Sequence, residues 1–199
     1  MRIYRHAGKP VSNLSMSPMN DPLRPAASGH ASLSPSSWVS RFAPLVSGNG
    51  AVLDLAAGSG RHAALFLRRG HKVVAVDRDT AALAGLASPD LEIVTADLEN
   101  GSPWPLPGRR FAGVVVTNYL HRPLFPILMA SLEPGGLLIY ETFALGNERF
   151  GKPSNPDFLL RPGELLEVAR GRLRVLAYED LEVSEPKPAM VQRIAARHP

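Results

Sequence analysis

The chain is 199 residues long, 45% hydrophobic and 20% charged, which is enough for one domain with a single substantial core. It contains no cysteine, so disulfides, thiol nucleophiles and Cys-based metal sites are excluded and no metal is expected. Of the net charge of +4, the first 35 residues carry most, with Arg2, Arg5, Lys9 and Arg24 against Asp21 alone. Residues 36–199 hold 18 basic and 17 acidic side chains, leaving no basic stripe for a nucleic acid.

No apolar run approaches the roughly twenty residues that span a bilayer. The first thirty residues lack the continuous apolar core of a secretion signal. A cytoplasmic protein with no membrane partner is therefore expected. Residues 1–35, rich in Ser, Pro, Asn and Met, show no sustained period and read as a flexible N-terminal extension. The folded domain is expected over residues 36–199.

Ser36 to Ser47 (SSWVSRFAPLVS) reads as a short helix that a serine could cap. Trp38, Phe42 and Leu45 fall on one helical face, suited to core packing or to closing over a ligand. Val52 to Ala56 (VLDLA) is a buried strand carrying one acid, Asp54. Gly58-Ser59-Gly60 turns the chain into a helix, Arg61 to Arg69. Strand, glycine turn and helix open a nucleotide-type βαβ unit. Backbone without Cβ atoms can pass against a ligand, and the following helix turns free N–H groups towards it.

Lys72 to Asp77 (KVVAVD) is a second buried strand, its terminal acid about seventeen residues beyond Gly60. In doubly wound folds an acid at that place accepts hydrogen bonds from ribose hydroxyls. Asp79 to Ala87 is expected to be a second helix with Asp79 as its N-cap. Leu91 to Thr95 is a third strand, followed by Ala96-Asp97-Leu98. Residues 101–110 form a proline-rich loop that no helix can cross. Phe111 to Thr117 is a fourth strand, entering Asn118-Tyr119-Leu120-His121-Arg122 and a helix from about Pro123 to Leu132.

Pro134-Gly135-Gly136 marks a turn, and Leu137 to Thr142 a fifth strand. A long irregular insert, Phe143 to Arg161, precedes a helix opened by Pro162 and closed by Gly171. Leu173 to Val183 and Met190 to Arg197 are strands of a hairpin around Glu185-Pro186-Lys187-Pro188. The order predicts an α/β fold: a doubly wound, mostly parallel seven-stranded sheet with a C-terminal antiparallel hairpin.

That terminal hairpin, together with DLAAGSG, VVAVDRD and LEPGGLLIYE, resembles the class I S-adenosylmethionine-dependent methyltransferases over about residues 50–197. The resemblance implies a Rossmann-like methyltransferase fold and S-adenosyl-L-methionine as cofactor. The family's glycine motif is usually acid-x-Gly-x-Gly-x-Gly; Asp54, Gly58 and Gly60 match, while Ala56 replaces the first glycine. By resemblance Asp77, with Arg78 beside it, meets the ribose, Asp97 and Leu98 lie beside the adenine, and Asp54 is near the methionine amino end. The alternative for Asp97 is a solvated loop acid or a cap. Dehydrogenases place glycines and an acid at the same spots. Against an NAD-dependent oxidoreductase stand the missing first glycine, the hairpin and the lack of a second catalytic domain. A binding protein that kept the fold and lost the reaction is the remaining alternative.

On the acceptor side, His121 is the residue best able to act as a base near neutral pH, or it is a helix-start histidine bonding backbone or water. Tyr119 could stack on a substrate or meet the sulfonium through its ring face, or simply pack. Asn118 resembles the family residue lining the methyl-transfer site. Asn118 and Tyr119 are adjacent, without the Asn-Pro-Pro-Tyr signature of enzymes that methylate base amino groups, so a small-molecule acceptor is expected. Glu141 ends a buried strand, where acids are uncommon unless paired or functional, and Arg122, Arg149 or Arg161 could pair with it. The insert ETFALGNERFGKPSNPDFLLRPGELL is similar to a segment of bacterial tellurite-resistance-like methyltransferases. Its Asn147, Glu148, Arg149, Phe150, Lys152 and Asn155 either cover the pocket or order a loop on the sheet edge. Metalloid oxyanions, a small organic acid or a thiol would fit the same arginines.

Overall fold

The computed structural model describes residues 34–48 and 50–199; the expected extension lies outside them but for its last two residues. Seven strands form one sheet in the order β3-β2-β1-β4-β5-β7-β6. They are β1 (Val52–Leu55), β2 (Val73–Asp77), β3 (Leu91–Thr95), β4 (Phe111–Thr117), β5 (Leu132–Phe143), β6 (Arg174–Val183) and β7 (Ala189–Arg197). The first five are parallel, and β7 runs antiparallel to both β5 and β6. This is the expected fold. No helix among the described residues is long and apolar enough to cross a membrane.

The central strands read as unbroken apolar runs because both their faces are covered. On one face α1 (Ser37–Phe42) and α2 (Arg61–Arg68) bring Trp38, Phe42 and Phe66 against Val52, Ala75, Val115 and Ile139. On the other, α3 (Phe125–Ala130) and α4 (Glu164–Ala169) pack Leu128 and Leu165 against Leu53, Val74, Val116 and Leu138. Alternate residues of one strand thus serve opposite layers.

Four expectations about local structure need correction. The helix foreseen over Asp79–Ala87 shrinks to a single 3-10 turn, Leu83–Leu86. Asp79 accepts a bond from the Ala81 N–H, and Ala87 has φ +28°, just ahead of Pro89, which disfavours a helical Ser88. The stripe in α1 is two residues long: Trp38 and Phe42 are buried, whereas Leu45, in the 3-10 turn after the helix, is 45% exposed. The β5 strand starts early, at Leu132, and skips residues 133–136 in its pairing with β4. Gly136 is required there, since a Cβ would sit 2.8 Å from the Glu133 carbonyl and 2.9 Å from that of Phe111. The last helix begins at Glu164 rather than at Pro162.

Ser36 caps α1, its hydroxyl accepting from the Trp38 and Val39 N–H groups. Trp38 Nε1 donates to the Ile194 carbonyl at 3.2 Å, and the Arg193 guanidinium lies 4.9 Å from the ring centroid. Trp38 therefore fastens α1 to β7. Replacing Trp38 by Ala should cost about 3–5 kcal/mol, and Leu45→Ala less than about 0.5 kcal/mol. Urea unfolding of the two variants checks this directly.

Candidate functional site

The parallel strands end together on one side of the sheet, and the polar residues of the sequence motif collect there. Asp54, in β1, is 1% exposed. Its Oδ2 accepts from the Ala63 N–H of α2 at 2.8 Å, capping the helix from inside the fold. Burial pushes this carboxyl up to about 7, the Ala63 bond only partly opposing it. His62, in the first turn of α2, is also 1% exposed, and burial, aided by neighbouring Arg61, pushes its imidazole down to about 3. Its Nε2 accepts from the Ser36 N–H at 3.2 Å. A neutral ring accepting at Nε2 carries its proton on Nδ1, which lies 3.4 Å from Thr117 Oγ1 and 4.0 Å from Asp54 Oδ1.

Between β1 and α2 the backbone passes through the left-handed region three times, with φ of +53° at Ala56, +54° at Gly58 and +75° at Gly60. Ala56 thus keeps the conformation that the usual glycine would supply, at about 1–2 kcal/mol of local strain. Gly60 is needed for contact as well: a Cβ would meet Leu86 at 2.6 Å and Leu83 at 2.7 Å. Gly58 has nothing within 4 Å of its missing Cβ. Its N–H donates to Asp77 Oδ2 at 2.8 Å, and Asp77 Oδ1 accepts from the Asp79 N–H at 3.0 Å. The acid at the end of β2 therefore locks the glycine turn of β1.

Over this turn lies a cleft of about 410 Å³. Ala56, Asp77, Arg78 and Leu98 line it, all expected from the sequence, together with Tyr119. Ala96, Glu99 and Phe158 line it too and were not singled out beforehand. Ala96 and Glu99 flank the Asp97-Leu98 pair and were within reach of that signal; Phe158 carried none. The Tyr119 hydroxyl is buried without a hydrogen bond of good geometry. Burial, with Glu99 nearby, raises its phenol well above the ordinary value, so Tyr119 is a neutral donor at the cleft.

The remaining candidates stand elsewhere. Asp54 lies beneath the turn, not in the cleft. Asp97 Oδ1 accepts from the Glu99 N–H at 2.9 Å, the loop-acid alternative. Asn118 is exposed at the end of β4 with φ +54°, and its N–H donates to the Glu141 carbonyl. His121 is half-buried at the start of the 3-10 turn Arg122–Leu124, its carbonyl accepting from the Leu124 N–H and its imidazole making no capping bond. Glu141 is the clearest correction. Its Oε1 accepts from Ser36 Oγ at 2.8 Å and its Oε2 from Arg193 at 3.2 Å, and Glu141 is not among the residues lining the cleft. Its partner comes from β7, the strand in register beside it. Of the three arginines suggested for it, Arg122 and Arg161 pair with Glu164, and Arg149 with Glu182.

In the insert Asn147, Glu148 and Asn155 follow the loop-ordering alternative, while Phe158 reaches the cleft. Asn147 is buried and bridges the Pro153 carbonyl and the Met190 N–H. Glu148 accepts from the Gly146 N–H, and Asn155 caps the 3-10 turn Pro156–Phe158. A larger cleft of about 470 Å³ lies along α4. Arg122 and Arg161 there are paired with Glu164, and Arg170 with Glu167.

The glycine turn, the Asp77 carboxylate and the unpartnered Tyr119 hydroxyl fit a nucleoside-bearing cofactor, and residues 52–136 match a family model described as a methyltransferase domain. No curated protein matches the chain in sequence. Among solved structures, TehB from Haemophilus influenzae is similar with a TM-score of 0.64 and 16% identity over 81% of this chain, which covers only 61% of that one. The 1,6-didemethyltoxoflavin-N1-methyltransferase of Burkholderia thailandensis, bound to its substrate and S-adenosylhomocysteine, has a TM-score of 0.56 and 24% identity, covering 75% of this chain and 71% of the other. The glycopeptide N-methyltransferase MtfA with S-adenosyl-L-methionine gives 0.57 and 22%, covering 84% and 88%.

The buried carboxyl makes stability depend on pH in a defined sense. With its folded value raised from 3.8 to about 7, Asp54 contributes stability in acid that is lost as pH rises through about 7. Asp54→Asn keeps an acceptor for Ala63 and removes that loss. The variant's stability relative to the parent should rise by up to a few kcal/mol between pH 4 and 7 and level off above. Denaturant titrations at several pH values read the difference; a constant offset would contradict the raised carboxyl.

Proposed function

From a methyltransferase domain over residues 52–136 set in the class I methyltransferase fold, we propose that this chain transfers a methyl group from S-adenosyl-L-methionine to a small-molecule acceptor. The observation that carries the reading is the joint between Asp77 and Gly58: a ribose-type acid placed against a glycine turn at the strand ends. Small-molecule acceptors are supported by the neighbour that methylates a didemethyltoxoflavin. A cytoplasmic protein without membrane or nucleic-acid partners agrees with the composition. The domain is proposed to span residues 36–199.

The bound cofactor supplies an electrophilic methyl group on a sulfonium. In this reading Asp77 accepts from the ribose hydroxyls, Arg78 and Leu98 flank the adenosine, Gly58 leaves room for the ligand beside the backbone, and Gly60 lets the turn pack against Leu83 and Leu86. Ala56 adds one methyl to the floor of the cleft, and Asp97 shapes the loop that carries Leu98. Asp54 acts at one remove, orienting the N–H groups at the start of α2 towards the methionine end. In-line displacement asks the protein mainly to align two atoms and exclude water. Tyr119 and Asn118 border the acceptor.

A base is needed only if the acceptor must lose a proton. His121 takes that role in this reading; His62 is unsuited to it, its imidazole being pushed far below neutrality and its Nε2 already engaged. Glu141 holds the entry to α1 through Ser36 and is paired with Arg193.

Calorimetric titration with S-adenosylhomocysteine and with NADH tests the reading. Micromolar binding of the adenosyl ligand alone is expected. Asp77→Ala, with its fold checked by circular dichroism, should weaken that binding by about 1.5–3 kcal/mol through lost bonds to a charged acceptor. Binding of NADH alone would point to a reductase instead.

A further inference from the structure

Resting on the cofactor assigned above, we propose that Phe158 forms the aromatic wall of the adenosine slot and that Arg122, braced by Glu164, is the positioning residue that holds it there. Phe158 belongs to the insert after β5, far in sequence from the glycine turn. It nonetheless lines the same cleft as Asp77 and Leu98. The residue is 48% exposed, an apolar surface left open at the mouth of a site where Asp77, Arg78 and Glu99 alternate with Ala56, Ala96 and Leu98.

The backbone around the ring is fixed from several directions. Pro156 opens the 3-10 turn and the Asn155 side chain caps it. Beyond it Leu159 and Leu160 are buried, and the Leu160 N–H donates to the Phe143 carbonyl. Arg122 closes the arrangement. Its Nη1 donates to the Asp157 carbonyl at 2.7 Å and its Nη2 to the Leu159 carbonyl at 2.9 Å, the two residues that flank Phe158. The same guanidinium donates from Nε and Nη2 to the two oxygens of Glu164 at 2.7 and 3.0 Å. Glu164 is itself 6% exposed. Burial opposes its ionisation, but the bonds from Arg122 and Arg161 prevail and hold the carboxyl down to about 2.

A paired, forked arginine with an ionised partner is a rigid support. What this one supports is a two-carbonyl cradle with an unburied phenyl ring between its arms. Because the loop is ordered before any ligand arrives, stacking on it costs little further conformational entropy. The ligand that matches is the planar purine of the adenosyl group, since the ribose acid and the β3 loop line the same cleft and purines stack on aromatic faces.

Titration of S-adenosylhomocysteine into the full chain and its variants decides the matter. F158A should weaken binding about tenfold or more, while F158Y, which keeps the aromatic face, should bind like the parent. R122Q should weaken binding to a similar degree, and F158A/R122Q should be no weaker than F158A alone, since Arg122 acts through Phe158. Unchanged affinity in F158A would overturn the assignment of Phe158. Additive losses in the double variant would overturn the role of Arg122. If R122Q folds poorly, R122K, which keeps the charge and loses the fork, takes its place in the cycle. A parent protein that binds no S-adenosylhomocysteine would instead overturn the methyltransferase reading itself.

Discussion

The site depends on one buried contact, the bond from the Ala63 N–H to the carboxylate of Asp54. It joins β1 to the first turn of the helix that follows, across the glycine turn between them. Because Asp54 caps α2 from within, the chain from Ala56 to Gly60 must leave the strand and enter the helix in a fixed number of residues. That constraint is met by three left-handed residues, one of them an alanine. The second bond, from the Gly58 N–H to Asp77, adds the neighbouring strand to the same joint. The floor of the cleft is thus set by two carboxylates from adjacent strands, one buried and one half-exposed.

A second group of contacts ties distant parts of the chain together at the far side of the strand ends. Ser36 caps α1, donates to Glu141 and offers its N–H to His62. Arg193 bridges Glu141 and Glu179 while its guanidinium lies over Trp38. One arginine on β7 thereby organises two acids and an indole drawn from β5, β6 and α1. Charges that are mutually satisfied in this way tolerate partial burial, which neither would alone.

Much of this was legible in the sequence, and for a clear physical reason. The strands β1, β2 and β4 are short, mainly apolar runs bounded by turn residues, and a strand covered on both faces has no other way to appear. Asp77 and the glycine turn carry a motif whose chemistry fixes its spacing, and both lie at the cleft. What was hidden depends on pairings distant in sequence. Glu141 looked functional because an acid seldom ends a buried strand, yet its partner Arg193 is visible only once the antiparallel register of β5 and β7 is known. The polar residues of the insert looked like pocket-covering groups, whereas Asn147 and Asn155 mainly satisfy the insert's own backbone. Phe158 gave no signal, since an exposed aromatic in a polar loop acquires meaning only from the residues that the fold brings near it. The helix foreseen over Asp79–Ala87 failed because propensity in an Ala/Leu-rich stretch counts for less than the Asp79 bond and Pro89 at its two ends.

The order of the strands across the sheet has a consequence for how the chain assembles during synthesis. The β7 strand lies between β5 and β6, although it follows both in sequence. When β6 leaves the ribosome its future neighbour does not yet exist, so it waits unpaired while the first five strands can already associate. Closure of that edge combines a local hairpin, β6 with β7, with the non-local pairing of β7 to β5, and the second belongs to the slow class of folding event. During this interval the β5 edge, whose Leu137, Leu138 and Ile139 are buried in the finished fold, has no partner on that side, and the nascent protein is then most open to chaperones and to aggregation.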